Sequence, residues 1–245
     1  GVNHNGDFTL ARELVEQAKE CGADCIKFQT FEAERVVTMH APKAKYQLGT
    51  TDNDESQFEM LKKIELSKEN HIRLKEKAEQ LGLLFLSTPY NFEDVDLLEK
   101  LDVPAYKVAS GQIIEHAFLN QIAMTGKPIF LSTGMAMITE IEEALTVIRN
   151  TGNDQVVLLQ CTTNYPSRTQ DANLRVIPMF EEKFDCLAGY SDHTLGMEAV
   201  YAAVALGACV IEKHFTLDKT FEGPDHLSSM VPEEMKILVK NIRQI

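Results

Sequence analysis

Short apolar runs alternate with amphipathic stretches along almost the whole chain. Residues 10–21 repeat apolar positions at helical spacing, with Leu10, Leu14, Val15 and Ala18 on one face. Gly22 follows as a helix stop, and 25–29, Cys-Ile-Lys-Phe-Gln, reads as a short strand. The next stretch, 31–57, is long and polar and holds Lys43, Lys45, Tyr46, Asp52 and Asn53. A loop of that length in a compact domain usually serves function or stays disordered. Helical periodicity then recurs at 68–80, with Ser67 as its N-cap, and at 92–101, 117–124 and 140–148. Strand-like runs lie between at 83–86, 105–108, 128–131 and 156–159. After a segment at 173–184, the run 187–190 leads to His193 and the run 209–211 leads to His214. A helix-length stretch, 196–206, separates them, and 233–245 closes the chain as a helix.

Seven strand–helix units in a row, with short buried strands, predict parallel pairing. The expected fold is α/β, a (β/α)8 TIM barrel built from residues 1–245 as a single domain. Its first strand is expected just upstream of Gly1, so that the barrel reads as truncated at that end, with Gly1 to Gly6 as the loop after it. An open doubly wound sheet is the alternative. It is disfavoured because no Gly-rich dinucleotide fingerprint follows any strand.

Composition narrows the partners. The 245 residues are 44% apolar, enough for a sizeable core, and carry 37 acidic against 24 basic side chains, a formal charge of -13. That balance argues against nucleic acid and against an anionic membrane surface. The five cysteines, Cys21, Cys25, Cys161, Cys186 and Cys209, show no CxxC spacing and read as reduced thiols of a cytoplasmic protein. No apolar run approaches the 18 or so residues of a membrane span, and no signal peptide is expected.

In a barrel of this kind, chemistry gathers at the C-terminal ends of the strands. Those positions here offer Asn3, His4, Lys27, Gln29, Ser87, Thr88, Lys107, Ser110, Ser132, Thr133, Ser191, His193, Lys213 and His214, with 162–165 beside them. Lys27 and Lys107 sit among apolar strand residues. A buried ammonium needs an anionic partner, so each is either half of a structural ion pair or part of a phosphate or carboxylate clamp. Ser110 and Ser132, each followed by a glycine within two residues, would add hydroxyl and backbone donors to such an anion. His193 and His214, on neighbouring strand ends, are candidate ligands of a divalent metal such as Mn, Fe or Zn, or else hydrogen-bonding groups. Alternation points Asp192 and Glu212 away from the histidines, as orienting groups or outer ion-pair partners. Asp225, in Gly223-Pro224-Asp225-His226, is either a turn residue or within reach of the histidine site.

The motifs Gly1-Val2-Asn3-His4-Asn5-Gly6, Lys27-Phe28-Gln29-Thr30, Ser87-Thr88-Pro89-Tyr90, Lys107-Val108-Ala109-Ser110-Gly111, Leu131-Ser132-Thr133-Gly134-Met135, Asn164-Tyr165-Pro166, Ser191-Asp192-His193-Thr194-Leu195 and Lys213-His214-Phe215-Thr216 stand in one order. In that order the chain resembles the barrel domain of the sialic acid synthase family: the N-acetylneuraminate, legionaminate and spore-coat polysaccharide synthases. The resemblance implies a transferase that condenses phosphoenolpyruvate with an N-acylated amino-hexose of the N-acetylmannosamine type, giving a nonulosonic acid and phosphate. It implies that His193 and His214 hold a divalent metal, most often Mn2+ with Mg2+ or Co2+ as alternatives. Lys27, Lys107, Ser110 and Ser132 match positions that hold phosphoenolpyruvate, and Thr88 lines the same place. Gln29, Tyr165 and Asp225 match positions facing the sugar, joined by the 48–53 stretch. A homodimer is implied for the full-length protein.

Three departures accompany the resemblance. The family's glutamate before the Gly1 motif lies outside this sequence, and its small C-terminal antifreeze-like domain, which supplies a sugar-binding arginine, is expected to be absent after Ile245. The Lys107 motif normally continues Ser-Gly-Glu and here reads Ser110-Gly111-Gln112. An amide can hydrogen-bond a substrate hydroxyl but cannot exchange a proton as a carboxylate does. Gln112 is therefore the catalytic position at which this chain departs. Two other readings remain: a 3-deoxy-sugar-acid phosphate synthase acting on another aldose, and a non-catalytic sugar-binding relative. The first is disfavoured because no additional Arg-rich strand end is present to hold a second phosphate.

Overall fold

The computed structural model describes residues 1–52 and 54–245; Asn53, in the polar stretch above, lies outside the described residues. The chain divides into two compact units, Gly1–Asp102 with His214–Lys240, and Val103–Lys213 with Asn241–Ile245.

In the first unit, α1 (Phe8–Glu20) buries Ala11, Leu14, Val15 and Ala18, the face that the periodicity predicts, and Asp7 caps it by accepting from the Leu10 N–H. Strands β1 (Cys25–Thr30) and β2 (Leu84–Pro89) pair in parallel, with Cys25 opposite Leu84 and Gln29 opposite Thr88. Alternation in β1 buries Ile26, Phe28 and Thr30 and leaves Lys27 and Gln29 half-buried on the other face. Within 31–57 the described residues form α2 (Ala33–Val36) and a single turn at Gln47–Gly49. Helix α3 (Gln57–Lys63) then follows. The periodicity did not predict α3, but its start carries a local signal: Ser56 and Glu59 form a reciprocal capping box. Helix α4 (Lys68–Gln80) has the predicted bounds and the predicted cap, Ser67, which accepts from the Asn70 N–H. Helix α5 (Phe92–Lys100) begins at Asn91, whose side chain accepts from Glu93 and Asp94.

In the second unit, β3 (Tyr106–Val108), β4 (Ile129–Ser132), β5 (Val156–Cys161), β6 (Leu187–Asp192) and β7 (Ile211–Lys213) form one parallel sheet in chain order. Helices α6 (His116–Met124), α7 (Ile138–Arg149), α8 (Val176–Phe184) and α9 (Glu198–Ala205) alternate with them. The unbroken alternation with parallel pairing is the expected α/β pattern. Several strands run past their apolar cores: β6 reaches Asp192 and β5 reaches Cys161, because Ser191 and Cys161 still pair across the ladder. Helix α10 (Pro232–Ile242) is the last element. Among the described residues no helix is long and apolar enough to cross a membrane.

One buried ion pair fixes the β6–β7 junction. Lys213 Nζ lies 2.5 Å from Asp192 Oδ2, with side chains 3% and 0% exposed. Tyr190 donates its hydroxyl proton to the other carboxylate oxygen at 2.9 Å. Asp192 is thus an outer ion-pair partner, one of the two roles expected for it.

Gly189, in the middle of β6, marks how closely the strands pack. A Cβ there would lie 2.6 Å from the Val210 carbonyl oxygen and 2.7 Å from Leu159 Cδ2. Gly189→Ala should therefore lower the unfolding free energy by about 2 kcal/mol, the scale of overpacking a filled site. That exceeds the gain of about 0.4–1 kcal/mol from stiffening the unfolded chain. Urea denaturation at pH 7 measures it, and an unchanged midpoint would contradict the packing account.

Candidate active site

The first unit gathers Lys27, Thr88, His214 and Asp225. Lys27 Nζ donates to Thr88 Oγ1 at 3.5 Å across the β1–β2 pair. His214, the residue after β7, has its Nδ1 3.4 Å from Asp225 Oδ2. Burial pushes the Asp225 carboxyl up to about 6, with the Lys27 charge pulling the other way. Burial also raises the Tyr46 phenol, and the Asp225 carboxylate adds to that rise. Gln29 shares the Lys27 face of β1. The backbone beneath Gln29 is fixed by His71, whose Nε2 lies 3.3 Å from the Gln29 carbonyl oxygen and 3.0 Å from Thr30 Oγ1.

The glycine-rich N-terminal motif acts here as a brace for the Asp225 loop. Asn3 Nδ2 donates to the Phe215 carbonyl at 2.8 Å and to Ser229 Oγ at 2.7 Å. Ser228 and Ser229 both donate to the Asp225 backbone carbonyl. Asn5 Nδ2 donates to the Glu222 carbonyl, and its Oδ1 lies 3.1 Å from His226 Nε2. Asp225 therefore sits on a loop held from both sides, and its carboxylate is kept towards His214. His4, one of the polar residues expected at the strand ends, is packed 5.9 Å from the Phe28 ring and takes the Gly6 N–H on Nδ1, a structural placement.

The second unit gathers Lys107, Ser110, Gln112, Ser132, Tyr165 and His193. Lys107 Nζ donates to Ser132 Oγ at 2.6 Å and to the Val108 carbonyl at 3.1 Å, with Glu212 Oε1 at 3.8 Å. Glu212 in turn accepts from Ser191 Oγ at 2.8 Å. Ser110 Oγ accepts from the Gly134 N–H at 3.0 Å and lies 3.1 Å from Cys161 Sγ. Gly134 is required for this approach: a Cβ would fall 2.8 Å from both Ser110 Oγ and Cys161 Sγ. His193 Nδ1 lies 2.8 Å from the Thr162 carbonyl oxygen, which assigns the proton to that nitrogen and the lone pair to Nε2. Tyr165 packs its ring 4.2 Å from the imidazole, centroid to centroid. Burial pushes the His193 pKa down, which favours the neutral ring. Gln112 is buried in the turn Ser110–Gln112.

Sequence reasoning underweighted Glu212. The β6–β7 register pairs Ser191 with Glu212 and Asp192 with Lys213. Period-two alternation puts Ser191 with His193, and Glu212 with His214, on like faces. Counting by two from each histidine, rather than by one, would have found it. Among the described residues no three His, Cys, Asp or Glu side chains converge as a metal-holding group. The donor chemistry that fits a metal is that of individual imidazoles, with His193 oriented by a backbone carbonyl in the manner of a metal-bound histidine.

The buried histidines set an acid limit on stability. Burial pushes His226 down to about 4, and lowers His71 and His4 as well. A base depressed in the folded state contributes stability that is whole above its unfolded value near 6.5 and is lost as pH falls towards the folded value. Asp225 has the opposite sign, because its raised pKa favours the folded state at low pH and that contribution fades as pH rises through about 6. Removing one depressed base isolates its share. His226→Gln should lose about 1–2 kcal/mol less than the parent between pH 6.5 and 5 in urea denaturation. Parallel pH profiles would contradict a neutral buried His226.

Comparison with known proteins identifies the family. The NeuB family profile matches residues 14–245. An N,N'-diacetyllegionaminic acid synthase of Campylobacter jejuni is 49% identical over 247 residues, spanning 100% of this chain and 74% of that protein. A synthase of the same name from Legionella pneumophila is 47% identical, spanning 99% of this chain and 69% of its own length. The crystal structure of an N-acetylneuraminic acid synthetase from Leptospira borgpetersenii superposes with a TM-score of 0.88 at 32% identity, covering 100% of this chain and 80% of that one. The α/β fold is shared with that enzyme throughout, and the chain belongs to the NeuB family as an enzyme of the sialic acid synthase type.

Proposed function

We propose that the chain condenses phosphoenolpyruvate with an N-acylated amino-hexose of the N-acetylmannosamine type to give a nonulosonic acid and phosphate. We read the complete fold as a (β/α)8 barrel, cytoplasmic and homodimeric in the full-length protein. The observation that carries the reading is the buried Lys107 ammonium, hydrogen-bonded to Ser132 beside Ser110 and the Gly134 N–H. Backbone and hydroxyl donors around an ammonium are the chemistry of an anion clamp.

The C2–C3 π pair of phosphoenolpyruvate forms a bond from C3 to the aldehyde carbon, and the aldehyde oxygen takes a proton. Water adds at C2 and gives up one proton; the C2–O bond to phosphate then breaks as the new C2 hydroxyl passes its remaining proton to the departing phosphate, leaving the 2-keto acid and hydrogen phosphate. Lys107 with Ser110 and Ser132, and Lys27 with Thr88, are assigned to the anionic oxygens of phosphoenolpyruvate. Gln29, Tyr165 and Asp225 are assigned to the sugar hydroxyls. Tyr165 has a second task, since its ring also confines the His193 imidazole. Gln112 donates and accepts hydrogen bonds without exchanging a proton. His193 and His214 are the residues that would hold a divalent cation, Mn2+ with Mg2+ or Co2+ as alternatives, and such an ion would polarise the aldehyde oxygen as a Lewis acid.

Phosphate release from phosphoenolpyruvate, assayed on the full-length protein with Mn2+ and a panel of N-acylated amino-hexoses, tests the reading. Release should require both sugar and metal, and His193→Ala and His214→Ala should each reduce it by at least 100-fold. A double variant that stays active in EDTA would sink the metal assignment. Absence of release with every sugar would favour a non-catalytic relative. Gln112→Glu separates two roles for the amide: a rate gain of tenfold or more means that a proton-transfer group is missing in the parent.

A further inference from the structure

Three groups from successive strand ends of the second unit close around one hydroxyl. Ser110 lies two residues past β3, Gly134 two residues past β4, and Cys161 is the last residue of β5. The Gly134 N–H donates to Ser110 Oγ at 3.0 Å, and Cys161 Sγ lies 3.1 Å from the same oxygen. Both Ser110 and Cys161 are buried.

The backbone around the contact is itself fixed. Thr133 donates its N–H and its hydroxyl to the Leu159 carbonyl, each at 3.1 Å, which sets the Gly134 amide against β5. Cys161 is held in the ladder opposite Ser191. A Cβ at residue 134 would meet Thr163 Cγ2 at 2.7 Å and both Ser110 Oγ and Cys161 Sγ at 2.8 Å. The three groups therefore meet with no space for a methyl group between them.

Hydrogen-bonding capacity decides what this contact does. A serine hydroxyl has one proton and two lone pairs, and a thiol is both a weak donor and a weak acceptor. The Gly134 N–H takes one lone pair of Ser110. Either atom can be the donor between Ser110 and Cys161. If Ser110 donates, its proton goes to sulfur and none is left for an anion. If Cys161 donates, both lone pairs of Ser110 are filled, and its proton must point away from residues 134 and 161. An anionic oxygen is a far stronger acceptor than a thiol sulfur, so a bound anion selects the second arrangement. Without a donor at 161, the Ser110 hydroxyl would turn more freely.

We propose that Cys161 is a positioning residue for phosphoenolpyruvate: its thiol donates to Ser110 Oγ and so aims the Ser110 hydroxyl proton at the anion. The proposal rests on the condensation reading and on the assignment of Ser110 to that anion.

Calorimetric binding of phosphoenolpyruvate to the full-length protein tests it, with thermal denaturation as the check that each variant is folded. Ser110→Ala should weaken binding about tenfold and Cys161→Ala about fivefold, the scale of one directed hydrogen bond. In a Ser110→Ala background, Cys161→Ala should add less than about twofold, because its effect passes through the Ser110 proton. Cys161→Ser keeps a donor and should bind within about threefold of the parent. The proposal is overturned if Cys161→Ala binds as the parent does, or if it costs the same with and without Ser110. A Cys161→Ser variant as weak as Cys161→Ala would also overturn it. If Ser110→Ala leaves binding unchanged, Ser110 does not hold the anion and the proposal falls, with Lys107 still able to carry the clamp. If the parent binds no phosphoenolpyruvate, the condensation reading falls as well.

Discussion

A charge placed inside a parallel sheet must be answered on the spot, and that constraint organises this molecule. Four charged side chains near the ends of β3, β6 and β7 show two solutions. Lys213 and Asp192 close on each other, with Tyr190 and the Thr194 carbonyl filling the remaining valences. Burying such a pair requires that nearly every lone pair and proton be satisfied, and here the partners are all protein. The partners of Lys107 include the Ser132 hydroxyl, the Val108 carbonyl and the Glu212 carboxylate, which stands off at 3.8 Å. The first arrangement is a finished structural joint. The second is the arrangement that we propose clamps the anion of the substrate.

Much of this was legible in the sequence because period and chemistry coincide there. The apolar face of α1, the bounds and cap of α4, and the strand–helix alternation all follow from local rules that tertiary packing does not override. The polar strand ends were legible for the same reason, since a side chain that interrupts an apolar run inside a sheet needs a partner. The strand ends themselves were less so. Thr88, Ser191 and Asp192 are polar yet still pair in the ladder, and an apolar run gives no notice of backbone pairing beyond its last apolar residue.

Long-range bracing escaped the sequence altogether. The hold of Asn3 and Asn5 on residues more than 200 positions away has no local signature. The Gly1 motif therefore read as a strand-end loop of chemical groups, when its asparagines serve to fix the loop bearing Asp225. Glu212 escaped for a different reason. It stands two places before His214, so alternation places it on the histidine's face, while the intervening residue is Lys213.

The distinction between a structural ammonium and an anion clamp is the central claim, and calorimetric binding of phosphoenolpyruvate to the parent and to Lys107→Met decides it. The account predicts that the variant stays folded and binds phosphoenolpyruvate at least tenfold more weakly, as expected for loss of a charge-assisted hydrogen bond worth about 1.5–3 kcal/mol. An unchanged Kd in a folded variant would show that Lys107 only balances Glu212, and the clamp would be lost.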